Sequence, residues 1–116
     1  MKTSDIYIRI VKRLQKEVDD WISNLKVGYF KPHEILARLI EEVGELAREI
    51  NHRFGPKKKK TTEKGNEIGD EMADIIFTLI CLANSLNIDL DRHFERVMKK
   101  INSRDKARWE KIKPSR

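Results

Sequence analysis

The most constraining feature of the sequence is an apolar run over residues 75–83, Ile-Ile-Phe-Thr-Leu-Ile-Cys-Leu-Ala, in which only Thr78 is polar. A helix that is apolar nearly all round is normally buried on every side. The run is far shorter than the ~20 residues that a helix needs to cross a bilayer. We therefore expect a soluble protein in which this helix is covered by the rest of the chain and by further copies of it.

Hydrophobic residues in the first half of the chain recur at three- and four-residue steps, the period of an amphipathic helix. They predict a first helix over about residues 4–25, ended by Gly28. A second helix is expected to begin at Pro32, since proline is tolerated in the first turn, and to stop at Gly55-Pro56. In the first helix, the residues expected to face the protein core are Ile6, Ile10, Leu14, Val18, Trp21, Ile22 and Leu25.

A third helix is expected over about residues 67–86, and a fourth begins near Asp89, a suitable N-cap. In the fourth helix, the residues predicted to face inward are Leu90, Phe94, Val97, Met98 and Ile101. Residues 56–66 are predicted to form a flexible basic loop, and residues 110–116 a disordered tail. The chain of 116 residues suits one domain over 1–116, an all-α four- to five-helix bundle.

The chain is basic, with a formal net charge of +6, and this charge favours phosphate-bearing partners of any kind. The single cysteine, Cys81, lies in the apolar run, so that no disulfide framework exists and a reducing, cytoplasmic location is expected. Charge alone does not distinguish a nucleic-acid-binding module from a protein that binds small phosphorylated molecules.

The second helix carries four acids, Glu41, Glu42, Glu45 and Glu49, within an arc of roughly 100°. A solvated polar face would explain them. However, like charges four residues apart repel each other, and a bound cation would remove that conflict. Gly44 lies among these acids, and a glycine inside a helix is easier to understand if something approaches its backbone closely.

The third helix carries Glu67, Asp70, Glu71 and Asp74 on one face, directly before the apolar run. Acids at the edge of a core are expected to be only partly solvated and to need a partner. No Lys or Arg occurs between Asp70 and Leu86, and carboxylates without clustered His or Cys favour Mg²⁺. Across two packed helices, Glu42 and Glu45 would meet Glu71 and Asp74.

A di-iron centre is a rival interpretation, because Glu49 and His52 form one Glu-x-x-His pair. The second copy of that element is missing, since neither His33 nor His93 has an acid three residues before it. His52 is therefore interpreted as a surface or substrate-side residue.

The fourth helix presents a basic stripe of His93, Arg96, Lys100 and Arg104. Such a stripe is commonly a solvated face. Beside a magnesium site it would stabilise the charge on phosphates and on a leaving pyrophosphate, a role for which Lys100 and Arg104 are the best placed.

The pattern Glu41-Glu42-x-x-Glu45 followed by Glu71-x-x-Asp74 resembles the paired signature of the MazG-like, all-helical nucleoside triphosphate pyrophosphohydrolases. The resemblance covers about residues 8–109 and includes Gly28-Tyr29-Phe30-x-Pro32 and Val97-Met98-x-Lys100. It is closest to a short, single-domain bacterial branch. It implies a helical bundle that assembles as a homodimer or tetramer and hydrolyses nucleoside triphosphates to monophosphate and pyrophosphate with Mg²⁺.

Carried over by position, the resemblance implies metal binding by Glu42, Glu45, Glu71 and Asp74 and phosphate contact by Lys100 and Arg104. Glu41 or Glu45 would serve as the catalytic base, and Trp21, Phe30 and His52 would contact the nucleobase. Glu67 and Asp70 fit the same spacing but are not followed directly by the apolar run, and are taken as supporting acids. The alternatives are a nucleic-acid-binding module and a regulatory bundle without turnover; membrane and nucleic-acid partners are not expected.

Overall fold

The structure, a computed structural model, describes residues 3–56 and 67–110, and within these it describes only the backbone of residues 3–9, 106, 107 and 109. These residues form four helices and no strand: α1 (Thr3–Ser23), α2 (Pro32–Phe54), α3 (Ile68–Ser85) and α4 (Leu90–Glu110). The prediction of an all-α fold is confirmed.

Helix α1 ends at Ser23, before the predicted end near residue 25, because two side chains hydrogen-bond a backbone carbonyl of its last turn. The Ser23 hydroxyl and the Asn24 amide both donate to the carbonyl oxygen of Asp20, at 2.9 and 3.0 Å. The chain then turns through Gly28, whose φ of 67° is a conformation that glycine adopts at no steric cost. Helix α2 begins at Pro32, as predicted, and the Lys31 N–H donates to the Glu34 carboxylate at 3.3 Å.

The short connection between α3 and α4 is closed by hydrogen bonds at both helix ends. Asn87 has a φ of 55°, and the Ile88 N–H donates to the Ala83 carbonyl at 2.8 Å. Asp89 then caps α4, because its Oδ1 accepts the Asp91 N–H at 3.1 Å. The N-cap expected at Asp89 is thereby found.

Contacts within the chain group it into two compact units. One consists of Met1–Leu14 and Asp89–Arg116, and the other of Gln15–Ile88. In the first unit, the buried Asp91 accepts the Lys12 N–H at 2.8 Å, and burial raises the pKa of its carboxyl. In the second, α2 packs along α3, and this contact positions the candidate site.

A polar network fixes the loop before α2 within the second unit. Asn84 donates to the Tyr29 hydroxyl at 3.0 Å, and Tyr29 donates to Asp19 at 2.6 Å. Gln15 donates to Asn84 and to the Ile88 carbonyl, both at 2.9 Å. Burial, followed by the bond to Asp19, raises the pKa of Tyr29 to about 12. The loop therefore has a defined position against α1 and α3.

The prediction that the apolar faces are buried was wrong for much of the single chain. Among the side chains that the structure describes, the buried apolar residues are few: Ile22, Ile35, Ile80, Cys81 and Ala83. Residues predicted to be inside but found exposed are Ile10, Leu14, Trp21, Leu25, Phe94, Val97, Met98 and Ile101. Even the apolar run exposes Ile76, Phe77 and Leu79. Each helix has more apolar surface than the described part of one chain covers.

Two predicted segments fall outside the described residues. These are residues 57–66 of the expected basic loop and residues 111–116 of the expected tail; Glu110, assigned to that tail, is the last residue of α4. Across the described ranges, no single helix is long and apolar enough to cross a membrane, and only α3 and α4 taken together pass a test of length and composition.

Candidate active site

The contact between α2 and α3 buries two carboxylates. Glu42 is 4% exposed, and Glu71 is 1% exposed, the most deeply buried large side chain described. The acids of α2 were considered as a solvated face, and those of α3 were expected to be partly solvated. Both expectations fail for these two residues because helix packing turns them inward. Burying a charged carboxylate is unfavourable unless it is paired or binds a cation.

Glu45, one turn after Glu42, completes a group of three. One carboxylate oxygen from each of Glu42, Glu45 and Glu71 lies within 4.8 Å of the others. The charge of Glu42 raises the pKa of Glu45, and desolvation and the charge of Glu71 act in the same direction. The three carboxylates therefore repel one another when charged, and a bound cation would relieve this repulsion.

Arg38 brings a positive charge to Glu42. Its Nε lies 2.9 Å from Oε1 of Glu42, and its Nη1 lies 4.0 Å from Glu41. The other oxygen of Glu42, Oε2, is buried without a hydrogen-bond partner among the described residues. The contact with Arg38 therefore leaves one oxygen of Glu42 able to bind a cation.

The donor set fits a hard divalent cation. It consists of carboxylate oxygens from two helices, and one oxygen of Glu42 is buried without a hydrogen-bond partner among the described residues. Oxygen ligands of this kind suit Mg²⁺ or Mn²⁺, whereas Zn²⁺ sites favour imidazole and thiolate. Among the described residues, the group of three contains no histidine.

A cavity of about 730 Å³ opens beside the cluster, within the range of small-ligand sites. Its acidic lining residues are Glu34, Glu41 and Glu42 of α2 and Asp74 of α3. Arg38 is the only basic residue among the described residues that line it. The same cavity therefore carries anionic groups for a cation and one guanidinium for an anion.

The cavity is also lined by apolar and aromatic side chains. Trp21 and Phe77 meet edge to face with ring centroids 6.1 Å apart, and both rings are exposed. Phe30 lines the same region and is 62% exposed. Cys81 lies at the cavity wall, where burial raises the pKa of its thiol. Exposed aromatic faces beside a cavity are suited to stacking on a planar ring.

The other acids named from the sequence occupy different positions. Asp74 is exposed and lines the cavity but is not part of the group of three, and its carbonyl accepts the Thr78 hydroxyl at 2.8 Å. Glu41 is largely exposed at the cavity wall. Glu67 precedes α3 as its N-cap, and Asp70 is exposed in the first turn. Neither joins the group of three.

The predicted phosphate-binding residues lie on α4, in the first compact unit. Lys100 and Arg104 are exposed, and Arg104 contacts the adjacent Asp105 at 3.2 Å. Their assignment stays a prediction. His52, on α2, is half-buried and is absent from the described cavity lining, whereas Trp21 and Phe30 are present. A Cβ on Gly44 would meet nothing within 4 Å, so that no described part of the chain approaches this backbone.

Phe77 and Ile35 are among the cavity residues that were not assigned to the site from the sequence. Phe77 was assigned only to the buried run, although it follows Asp74 by three positions and hence shares its helix face. Ile35 was assigned to the core alone. Arg38 was noted only as a possible partner of the acids. Its spacing of four residues before Glu42 was the available signal for a direct contact.

The fold and the site together define an all-α protein with a carboxylate cluster beside a ligand-sized cavity. Residues 30–109 match the family of the MazG nucleotide pyrophosphohydrolase domain. The chain therefore belongs to the MazG nucleotide pyrophosphohydrolase family, whose members hydrolyse phosphoric anhydrides of nucleotides and are in general metal-dependent. The resemblance inferred from the motifs is confirmed.

Similar proteins are known from Bacillus. The chain is 52% identical over 101 residues to the uncharacterized protein YpjD of Bacillus subtilis (strain 168), covering 87% of this chain and 91% of that protein. A crystal structure of YpjD, described as a candidate pyrophosphatase, matches with a TM-score of 0.71 and 52% identity over 79% of this chain and 94% of the other. The Bacillus-conserved MazG protein, a nucleotide pyrophosphohydrolase, matches with a TM-score of 0.70 and 48% identity over 84% and 94%.

A thermal melt of the Glu42→Gln variant tests whether the cluster is a metal site. Replacing this buried charge relieves repulsion with Glu45 and Glu71, so the melting temperature in EDTA should rise by about 3 °C or more. Added Mg²⁺ should stabilise the variant less than the wild type, because a ligand that binds only the native state stabilises it by mass action.

Glu17→Gln, which removes an exposed acid of α1, is the matched control and should change neither curve. If wild type and Glu42→Gln respond identically to EDTA and to Mg²⁺, the cluster is not a metal site.

Proposed function

We propose that this chain hydrolyses nucleoside triphosphates, in ribo or deoxy form, to nucleoside monophosphate and pyrophosphate, with Mg²⁺ as cofactor. The observation that carries the proposal is the convergence of Glu42, Glu45 and Glu71 beside a cavity that is also lined by aromatic side chains. A cation site and a stacking surface in one cavity match the two ends of a nucleotide. The role would be the removal of nucleotides from a cytoplasmic pool.

In this proposal Glu42, Glu45 and Glu71 hold the metal, with Asp74 at the cavity wall as the fourth carboxylate. When bound, Mg²⁺ neutralises phosphate charge and lowers the pKa of a coordinated water. The two buried acids, Glu42 and Glu71, fix the site because their rotamers are restricted by packing between α2 and α3.

Glu41 and Glu45 are the candidate general bases. Both are exposed, so either carboxylate is free to orient a water molecule and take its proton as that water attacks the α-phosphorus. Lys100 and Arg104 are assigned to the departing pyrophosphate, whose negative charge grows as the bond to the α-phosphorus breaks. No covalent intermediate is needed, because the attacking group is water.

The nucleobase is assigned to the aromatic side chains that line the cavity. Trp21 and Phe30 expose their rings there, and stacking on an aromatic side chain is worth about 1–3 kcal/mol per base. His52 is not included, since it does not line the cavity among the residues described.

A homodimer or tetramer is proposed as the working form. Helix α2 has an exposed apolar stripe, Leu36, Ile40, Val43 and Ile50, and α3 has another, Met72, Ile76 and Leu79. Their steps of three, four and seven residues are the spacing with which helices pack on helices. A second copy of the chain would remove these stripes from water.

Incubation of the purified protein with Mg²⁺ and a panel of ribo-, deoxy- and modified triphosphates, followed by a pyrophosphate assay, tests the activity. Release of pyrophosphate and monophosphate in equal amounts supports the proposal. Release of orthophosphate would contradict the proposed cleavage at the α-phosphorus, whereas no turnover with any member of the panel would favour a regulatory or nucleic-acid-binding bundle.

Glu45→Gln and Asp74→Asn should each lower pyrophosphate release at least ~100-fold, because losses in and around the ligand set of a metal commonly cost that much. Circular dichroism should show unchanged helix content. Near-normal turnover of either variant at limiting Mg²⁺ would show that the residue concerned is not a ligand.

Lys100→Ala should weaken turnover, and the wild type should bind short duplex DNA poorly at physiological salt, since the basic stripe is assigned to one bound triphosphate. Fluorescence anisotropy with labelled DNA measures the second quantity. Tight binding with a steep salt dependence would instead identify a nucleic-acid-binding surface.

Ile40→Glu should shift the protein toward smaller species in light scattering coupled to size-exclusion chromatography. Ile40 is 65% exposed in the centre of the α2 stripe, and a charge there would have to be buried in the proposed interface. A monomeric wild type at micromolar concentration would refute the proposed assembly.

A further inference from the structure

The ion pair between Arg38 and Glu42 joins an exposed cation to a buried anion. The Arg38 side chain is 67% exposed, whereas that of Glu42 is 5% exposed, and the contact is 2.9 Å from Nε to Oε1. Moving the guanidinium into solvent exposes little new surface on Arg38. Leaving Glu42 alone, by contrast, creates an uncompensated buried charge. Glu42 therefore depends on the pair far more than Arg38 does.

The contact occupies only one edge of the guanidinium. Nε faces Glu42, and Nη1 is 4.0 Å from Glu41, which is beyond hydrogen-bond distance. Arg38 lines the cavity and is the only basic residue among the described residues that do so. An arginine fork of this kind binds phosphate oxygens in pairs.

A cation at the carboxylate cluster would change the balance of this pair. The cation would neutralise the Glu42 carboxylate, so that Glu42 would attract the Arg38 guanidinium less strongly. The cation and the guanidinium, both positive, would also repel each other. A phosphate group in the cavity would then be the strongest available acceptor for the guanidinium.

We propose that Arg38 is a charge-exchange residue: it neutralises Glu42 while the site holds no metal, and it hydrogen-bonds a phosphate of the nucleotide once a divalent cation binds Glu42. This inference rests on the proposed function, since it takes the cavity to hold a metal and a polyphosphate together. Arg38 then reduces affinity for the metal alone and increases affinity for the metal with its phosphate ligand.

The variant Arg38→Gln separates these two effects. Mn²⁺, which uses the same oxygen ligands as Mg²⁺, reports on the metal alone by electron paramagnetic resonance. Inorganic pyrophosphate, the product of the proposed reaction whatever the base, reports on the phosphate by calorimetry at saturating Mg²⁺. We expect Mn²⁺ to bind about threefold or more tightly and pyrophosphate to bind about tenfold or more weakly, as for the loss of a charge-assisted hydrogen bond.

Thermal melts in EDTA add a readout that needs neither ligand. Arg38→Gln should lower the melting temperature in the wild-type background and change it little in the Glu42→Gln background, because the second variant has no buried charge to compensate. The matched control is Lys16→Gln, measured once in the wild-type background and once in the Asp20→Asn background. Lys16 and Asp20 form a pair of the same spacing and order at 2.8 Å, with both side chains exposed. This control should show almost no coupling.

Arg38→Lys keeps the positive charge but loses the planar guanidinium. Its melting temperature in EDTA should therefore be close to that of the wild type, whereas its affinity for pyrophosphate should stay well below the wild-type value. Weaker or unchanged Mn²⁺ binding by Arg38→Gln would overturn the exchange and leave Arg38 as a residue that only positions Glu42. Unchanged pyrophosphate affinity would overturn the phosphate contact. Failure of the nucleotide panel would refute the proposed function while the Mn²⁺ and melting measurements still decided the role of Arg38.

Discussion

Two carboxylates buried between α2 and α3 are the constraint on which the rest of the structure depends. Glu42 and Glu71 lie in a helix contact that would ordinarily be filled by aliphatic side chains, and Glu45 extends the group at its exposed edge. At separations up to 4.8 Å, charged carboxylates repel one another. Because folded proteins are only marginally stable, such repulsion favours an arrangement in which the charges are compensated. Arg38 compensates Glu42 at 2.9 Å, and a divalent cation would contact all three carboxylates at once.

The cavity follows from the same helix contact. Arg38, Glu41 and Glu42 come from one stretch of α2, and Asp74, Thr78 and Cys81 recur at steps of four and three along α3, so that each helix contributes one face to the cavity wall. The loop after α1 also lines the cavity. Hydrogen bonds from Asn84 to Tyr29 and from Tyr29 to Asp19 hold this loop in place. Regular helices thus position the charged groups, and a hydrogen-bonded loop positions Phe30. The acidic side chains of the site therefore lie on rigid helices, whereas part of its aromatic lining lies on a loop.

The sequence predicted the helices well because their boundaries depend on local chemistry. Pro32 begins α2, and Asp89 caps α4, as the residue types indicated. The acids of the cluster were also identifiable, since their spacing and the apolar run after Asp74 are visible in the chain. Burial was not predictable. The sequence alone did not show that Glu71 would be almost completely enclosed while Ile76 remained half-exposed, because burial depends on which helix face meets which neighbour. The Trp21–Phe77 contact was hidden for the same reason, as it joins residues distant in the sequence.

The exposed apolar stripes and the buried acids belong to the same two helices, and this has a consequence for the proposed assembly. In α2, Val43 of the stripe directly follows Glu42 of the cluster, and in α3, Met72 directly follows Glu71. Adjacent helical positions point about 100° apart, so a partner packed on the stripe fixes the rotation of the helix that also aims the carboxylate. Three carboxylate oxygens within 4.8 Å of one another tolerate little rotation of either helix before the group opens. A second copy of the chain on these stripes would therefore do more than cover apolar surface: it would hold α2 and α3 at the rotation in which Glu42, Glu45 and Glu71 converge.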